Sequence, residues 1–588
     1  MHSFRAPRAK QPESLGKQCH RSPDRLRQRC LVAFIALLLA SCTTQEPPAV
    51  DPTSTRYNVL LVVFEDLSPR IGAYGDPVAH TPVLDALTQE SVRYTRVFTT
   101  AGVCAPSRSA LITGVHQQTL GTQHMRTRSP VPGLRGGGPI EYDAVPPPTV
   151  RAFPELLRAA GYYTSNNGKT DYQFGTPFLI WDDAAAPHPW RGRPTGQPFF
   201  AMVNIMTTHE SHLWPTEGQS DNRLVEFIRE RNQRELKDKQ ERTDPARVTV
   251  PPYLPDTPAV RADIARQYDN LSFAEGQLAT LLQDLKADGL EAETLVIVTT
   301  DHGDGLPRMK RSLYDSGLHV PMLVRFPDRR GAGQVDDQLV SFVDLAPTIL
   351  SYAEQPVPSF VQGQVVFGTD SAARRSYVYA AMDRHDEVPD RLRAARDERY
   401  KYIRNFKPQA PFFRPLSFRD QMPTMQAIWR AHAAGTAPPA LAALLSPNRP
   451  AEELYDLQTD PHEVINLAKD PQHHETLIRL RAAYDAFAAR AGDASEQPEA
   501  KMIARMWPGM EQPVTAAPVV DVRAGRVHLT SPTPGAAIGY RFSGQQNWRV
   551  YTQPLVLAEE SPGQESTVLE AQAERYGYER SAVVSVPF

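Results

Sequence analysis

Four short runs constrain this chain more than anything else in it. Asn58–Phe64 (NVLLVVF), Phe199–Met206 (FFAMVNIM) and Thr294–Thr300 (TLVIVTT) are continuous aliphatic segments, and Gly161–Asn167 (GYYTSNN) is a shorter, more polar companion. Runs of this length without polar alternation predict strands buried on both faces, the situation of a parallel sheet covered by helices. Helical stretches over Pro82–Ser91 and Val260–Asp288 lie between them, which is the spacing of βαβ units and predicts an α/β fold. Each run ends in chemistry: Glu65 and Asp66, Lys169, His209, and Asp301 with His302. In open α/β sheets ligands bind outside the carboxyl ends of the strands. Each feature taken singly also has a plainer reading, as a helix N-cap, a turn or a solvated loop residue.

The cysteines narrow the chemistry. They are Cys19, Cys30, Cys42 and Cys104, and once an N-terminal export signal is removed no disulfide framework can be drawn. Cys104 lies in the run Val103–Gly114, VCAPSRSALITG. A free thiol there can be a small buried hydrophobe. The set Cys104, Pro106, Ser107, Arg108, Leu111, Thr113 and Gly114, however, resembles the signature of the formylglycine-dependent (type I) sulfatases of the alkaline-phosphatase-like superfamily.

That resemblance implies a large mixed, mostly parallel sheet sandwiched by helices. It also implies a smaller α+β C-terminal subdomain with a short antiparallel sheet. Cys104 would be converted to an aldehyde by a formylglycine-generating enzyme. One hydroxyl of the hydrated aldehyde then attacks sulfur, while the other can lose its proton and expel sulfate; a serine lacks that exit. Residue by residue, the resemblance assigns Glu65, Asp66, Asp301 and His302 to a divalent cation. The hard donors favour Ca2+, with Mg2+ second. Arg108, one helical turn beyond Cys104, would hydrogen-bond the aldehyde hydrate and the metal's acids. Lys169, His209 and Lys310 would clamp sulfate and serve the leaving group, with His209 favoured as general acid.

Two positions depart from the family pattern. Glu65 stands where many members have Asp, and Gly168-Lys169-Thr170-Asp171 ends in an acid where the common pattern has histidine. Asp171 would replace that histidine, recognise substrate, or cap the next helix, and His116 or His124 could compensate. Gln123, His124, Arg126, Asp171, His212 and Arg384 are polar loop residues read as candidates for substrate contacts. The expected activity is hydrolysis of sulfate monoesters of carbohydrate. Two rivals stand beside it. One is a phosphonate monoester or phosphodiester hydrolase of the same superfamily. The other is a surface glycan-binding protein with a disabled site.

The N-terminus reads as an export signal over 1–41. Arg25, Arg27 and Arg29 precede the apolar stretch Leu31–Ala40, which is too short to span a bilayer. Leu39-Ala40-Ser41-Cys42 resembles a bacterial lipoprotein box, so residues 42–54 read as a tether and Cys42 as the site of a lipid anchor to the cell envelope. A formal charge of −3 and a pI near 6.6 give no broad footprint for nucleic acid. The remaining length exceeds one core and divides into a catalytic domain (55–370), a C-terminal subdomain (371–495) and a small β-sandwich (513–588). In the last, Trp548, Tyr551 and Tyr576 either stack on sugar or fill a core.

Overall fold

The computed structural model describes residues 56–128, 137–215, 223–556 and 568–588. The expectations for residues 1–55, Cys42 among them, lie outside the described residues. All four runs contain strands. In chain order the central sheet holds β1 (Asn58–Phe64), β2 (Val92–Phe98), β3 (Tyr163–Asn166), β4 (Phe199–Ile205), β5 (Thr294–Thr300), β6 (His319–Arg325), β7 (Val335–Asp336) and β8 (Val340–Ser341). Their order is β3-β4-β1-β5-β6-β2-β7, with β8 also paired to β2. β3, β4, β1 and β5 are parallel neighbours, while β6 is antiparallel to both β5 and β2. The sheet is thus mixed and mostly parallel, as expected.

Every position of β1, β4 and β5 is buried. The reason is visible along β1. Val59, Leu61 and Val63 join an apolar cluster with Ala346 and Ile349, whereas Leu60, Val62 and Phe64 face Leu271 and Leu278 on the other side. Side chains alternate across a strand, so a strand covered on both faces needs apolar residues at both parities. The second layer is the helix Pro258–Ala287, started by Pro258 and by Thr257, whose hydroxyl accepts from the Val260 amide.

A four-stranded antiparallel sheet follows, in the order Glu452–Asp456, Tyr400–Asn405, Leu392–Arg396, Val378–Met382. The helix His474–Ala491 lays Leu477, Leu480, Tyr484 and Phe487 on Ala395, Tyr402 and Leu454 of that sheet. From Val519 onward, a three-stranded and a four-stranded antiparallel sheet enclose Val527, Leu529, Ile538, Phe542 and Leu569. Tyr576 is fully buried, stacks on Phe174 at 5.0 Å and donates its hydroxyl to Glu155, so it is a core residue. Tyr551 packs against the sandwich core, and Trp548 lines a cavity.

Candidate active site

Phe64 is in register with Ile205 and Thr300, so the residues that follow leave the sheet at one level. The ladder runs one step further, with the Glu65 amide donating to Ile205 and the Asp301 amide to Phe64. Asp66 then turns into the left-handed region at φ 48° and donates its amide to Asp301 Oδ1 at 3.1 Å. Gly305 is required here for closeness: a Cβ on it would fall 2.7 Å from Glu210 Cα and 2.8 Å from Asp66 Oδ2.

The helix Cys104–Thr113 is buried along its whole length and is pinned to the end of β5 by Ser107 Oγ, which donates to the Asp301 carbonyl at 2.6 Å. Cys104 therefore opens the helix beside the acids, with Sγ 3.3 Å from His302 Nε2. Burial pushes the Cys104 thiol well above its usual range, and the ammonium groups of Lys169 and Lys310 do not overcome it. Unmodified, Cys104 is a neutral thiol and a poor nucleophile.

Arg108 serves the acids rather than the cavity. Its guanidinium donates to Glu65, to Asp301 Oδ2 at 3.2 Å and to Asn204 Oδ1 at 2.7 Å, all buried, and it is absent from the cavity wall. Of its two expected partners the acids are met, and the guanidinium sits beneath them rather than on the cavity wall. Lys169 lies 2.8 Å from Glu65 Oε2 and 3.3 Å from Asp171 Oδ2. Lys310 donates to both oxygens of Asp66 at 2.9 Å, and Glu210 Oε1 is 3.0 Å away. Burial works against the Lys310 charge, but Asp66 and Glu210 outweigh it and hold the ammonium above its ordinary value. His209 Nε2 lies 3.4 Å from Lys310 Nζ. Burial, then Lys310 and Lys169, hold this imidazole well below its usual range, so it is neutral and Lys310 carries the proton.

Asp66, Asp301 and His302 offer ligand atoms that lie with Cys104 Sγ within 4.8 Å of one another, and Glu65 and His209 join Asp66 and Cys104 in an overlapping group. One observation tests whether a cation fits. His302 Nδ1 lies 2.8 Å from the Gly303 carbonyl, which selects the Nδ1–H tautomer and leaves the Nε2 lone pair facing Asp66 Oδ1 at 3.2 Å. A cation placed between these two acceptors would satisfy both. Burial, followed by Asp301 and Asp66, also pushes the Glu65 carboxyl up to about 7 even though Arg108 and Lys169 oppose it. The donor set fits a hard divalent cation.

These groups border a cavity of about 470 Å3 whose lining includes Cys104, Lys169, Asp171, His209 and Lys310. Arg126, Arg128 and Arg231 add positive charge to its wall, and Phe227, 53% exposed, stands at the rim. Six residues around it, Asp66, Arg126, Asp171, Gln173, Arg311 and Asp386, hold left-handed backbone with φ between 48° and 63°. Strain of this kind persists where surrounding contacts over-determine it. Here those contacts are a buried chain: Arg311 donates to both Glu210 oxygens at 2.7 and 2.9 Å and lies 3.3 Å from Asp386, which in turn meets Arg126 at 2.6 Å.

Four expected substrate contacts are corrected. Arg384 grips Glu499 with two bonds of 2.8 Å and the Met125 carbonyl, so it ties chain segments together. His212 is buried between the Thr207 carbonyl and Glu235. His124 accepts from the Arg384 amide. None of them lines the cavity, and neither does Gln123, which contacts Met502. His116 is not a substitute for the missing histidine either, since it lies against Phe487 and burial pushes it down to about 4. Asp171 occupies the cavity wall and pairs with Lys169, and it caps no helix. The sequence reading missed Asn204, Glu210, Arg311 and Asp386. Asn204 was marked by being the one amide in the aliphatic run of β4, and Glu210 and Arg311 by standing next to His209 and Lys310.

The sulfatase family model matches residues 57–179 and 188–355, and that of the N-sulphoglucosamine sulphohydrolase C-terminal region matches 308–413. An ulvan-active sulfatase of Formosa agariphila is 38% identical over 552 residues, 90% of this chain and 91% of its own. This chain belongs to the sulfatase family. It is accordingly a sulfuric ester hydrolase. Human N-sulphoglucosamine sulphohydrolase is 29% identical over 461 residues, 72% of this sulfatase and 88% of the human chain. Among solved structures, an enzyme in complex with its substrate D-glucosamine-2-N,6-O-disulfate shares the fold at a TM-score of 0.52 and 16% identity, covering 76% of this sulfatase and 100% of that chain.

Proposed function

We propose that this sulfatase hydrolyses sulfate monoesters of a polysaccharide, with Cys104 as formylglycine and a calcium ion at Glu65, Asp66, Asp301 and His302. The observation that carries the reading is the meeting of Cys104, the acid cluster, Lys169 and Lys310 at one end of four parallel strands, open to a cavity with a basic wall. A bound divalent cation would supply Lewis-acid stabilisation of charge on a sulfate oxygen. The chain's own groups do the rest. Lys169 and Lys310 neutralise the sulfate, a preorganised arrangement since both ammoniums are already fixed by carboxylates. Lys310 holds the proton that the departing alcohol needs, and neutral His209 lies 3.4 Å from it on the wall of the same cavity. Arg108 fixes Glu65 and Asp301 from below.

The Formosa agariphila relative is named for ulvan, which supports a polysaccharide substrate. Phe227 at the rim offers an aromatic face to a sugar ring, and Arg126, Arg128 and Arg231 offer charge to its anionic substituents. Lipidation at Cys42 would hold the enzyme at the cell envelope, where such polymers arrive.

The direct test compares aryl sulfate with aryl phosphonate and aryl phosphodiester, followed by sulfate release from sulfated polysaccharides. Turnover is expected to favour sulfate, and a preference for phosphorus would make the chain a phosphonate or phosphodiester hydrolase. No sulfate release from any substrate, with glycan binding intact in Cys104→Ala, would leave a binding protein.

A chelator is expected to abolish turnover and added Ca2+ to restore it. Because Glu65 ionises only near 7, protons compete with the cation for this ligand, and the sign follows directly: the ionised form binds, so affinity falls as pH falls. Ca2+ affinity measured by calorimetry should weaken about tenfold per unit below pH 7 and level off above it. A pH-independent affinity would remove Glu65 from the ligand set.

A further inference from the structure

Each of the two cavity lysines stands between two acids, one inside the proposed ligand set and one outside it. Lys310 Nζ lies 2.9 Å from Asp66 and 3.0 Å from Glu210. Lys169 Nζ lies 2.8 Å from Glu65 and 3.3 Å from Asp171. Among the described residues these are the carboxylates paired with the two ammoniums. Glu210 is buried and gripped by Arg311, so the outer acid of the first pair is fixed by its own partner. Asp171 is different. Its side chain is 41% exposed, and Lys169 is its one ion-pair partner among the described residues.

The contact of Lys169 with Glu65 is a pairing of charges without a hydrogen bond, since buried Glu65 Oε2 accepts none among the described residues. That oxygen keeps its lone pairs for a cation. A divalent ion on it would face the ammonium across a single atom, and repulsion between buried like charges is poorly screened. Lys169 must therefore give up Glu65 when the ion enters, and the acid left to receive it is Asp171.

The backbone holds Asp171 where this exchange needs it. Its φ is 54°, with Gly168 at 111° on one side and Gln173 at 63° on the other. The loop is pinned at both ends. The side-chain amides of Asn166 and Asn204 donate to the Lys169 carbonyl at 2.9 and 3.3 Å. Gln173 donates to the His124 carbonyl and accepts from Thr127, both at 2.6 Å. Such contacts are what allow a left-handed residue other than glycine to persist.

We propose that Asp171 is a positioning residue for cation binding: it draws the Lys169 ammonium off Glu65, which frees Glu65 for the ion and keeps the lysine's charge on the cavity wall for sulfate. The inference rests on the reading of Glu65 as a cation ligand.

Ca2+ titration by calorimetry tests it, on the full chain with Cys104→Ala so that no ester is turned over. Adding Asp171→Asn or Asp171→Gly, two residues that accept left-handed backbone, should weaken Ca2+ binding about tenfold. Direct attraction between Asp171 and the ion predicts the same loss, and removal of the lysine separates the two. On a Lys169→Met background, Asp171→Asn should change the affinity by less than about twofold. An equal loss with and without the lysine would overturn the proposal, and so would an unchanged affinity in Asp171→Asn and Asp171→Gly; either result leaves Glu65 in the ligand set. Undiminished Ca2+ affinity in Glu65→Gln would instead remove Glu65 from that set, and the proposal with it.

Discussion

Cys104→Ala should release no sulfate from any ester, a fall in kcat of at least about 10^4-fold, because the group proposed to bond to sulfur is gone and the remaining residues can only bind and polarise. The fold should survive. Cys104 is small and contacts Val103, Ala105 and Met125, so its truncation opens little space. Cys104→Ser should be equally inactive in steady state, since a serine oxygen carries no second hydroxyl through which the sulfate can be expelled. Sulfate measured by ion chromatography, with peptide mass spectrometry of the segment around residue 104, checks both statements. Alanine turnover near wild type, or an intact thiol in fully active enzyme, would remove Cys104 from the reaction.

Arg108→Ala should unfold the site as well as silence it. The guanidinium is fully buried and is shared by Glu65, Asp301 and Asn204. Removing it leaves two buried carboxylates without their cation, a change that costs about 3–5 kcal/mol. Arg108→Lys should recover only part of this, because an ammonium is a point charge and cannot reach three acceptors in the directions of a planar fork. The melting temperature of the two variants against wild type reads the difference. A wild-type melting temperature for Arg108→Ala would mean that Lys169 and Lys310 alone neutralise the acids.

The central sheet was legible because burial on both faces writes itself into β1, β4 and β5 as unbroken aliphatic runs. The acids, histidines and lysines at the strand ends were legible for the same reason, since the end of such a run is a known place in the fold. What stayed hidden depends on distant segments. His212 and Arg384 read as loop groups free to meet substrate, yet each is consumed by a partner, Glu235 and Glu499, that no local pattern pairs with it. Asp386 was invisible in the same way: its role comes from Arg126 and Arg311, which lie far away in sequence. Arg108 was correctly tied to the acids by helical spacing, but spacing alone cannot say whether a side chain points into a cavity or beneath it.

The chain of charges Glu210, Arg311, Asp386 and Arg126 crosses from the α/β part to the segment that follows it, and Lys401 on the antiparallel sheet likewise holds Asp315 and Glu463. A fragment ending near residue 370 would strand Arg126 and Arg311 without Asp386 and leave Asp315 without Lys401. Grafting the front half of this enzyme onto another hydrolase would thus succeed only if the transplanted piece brought its own counter-ions.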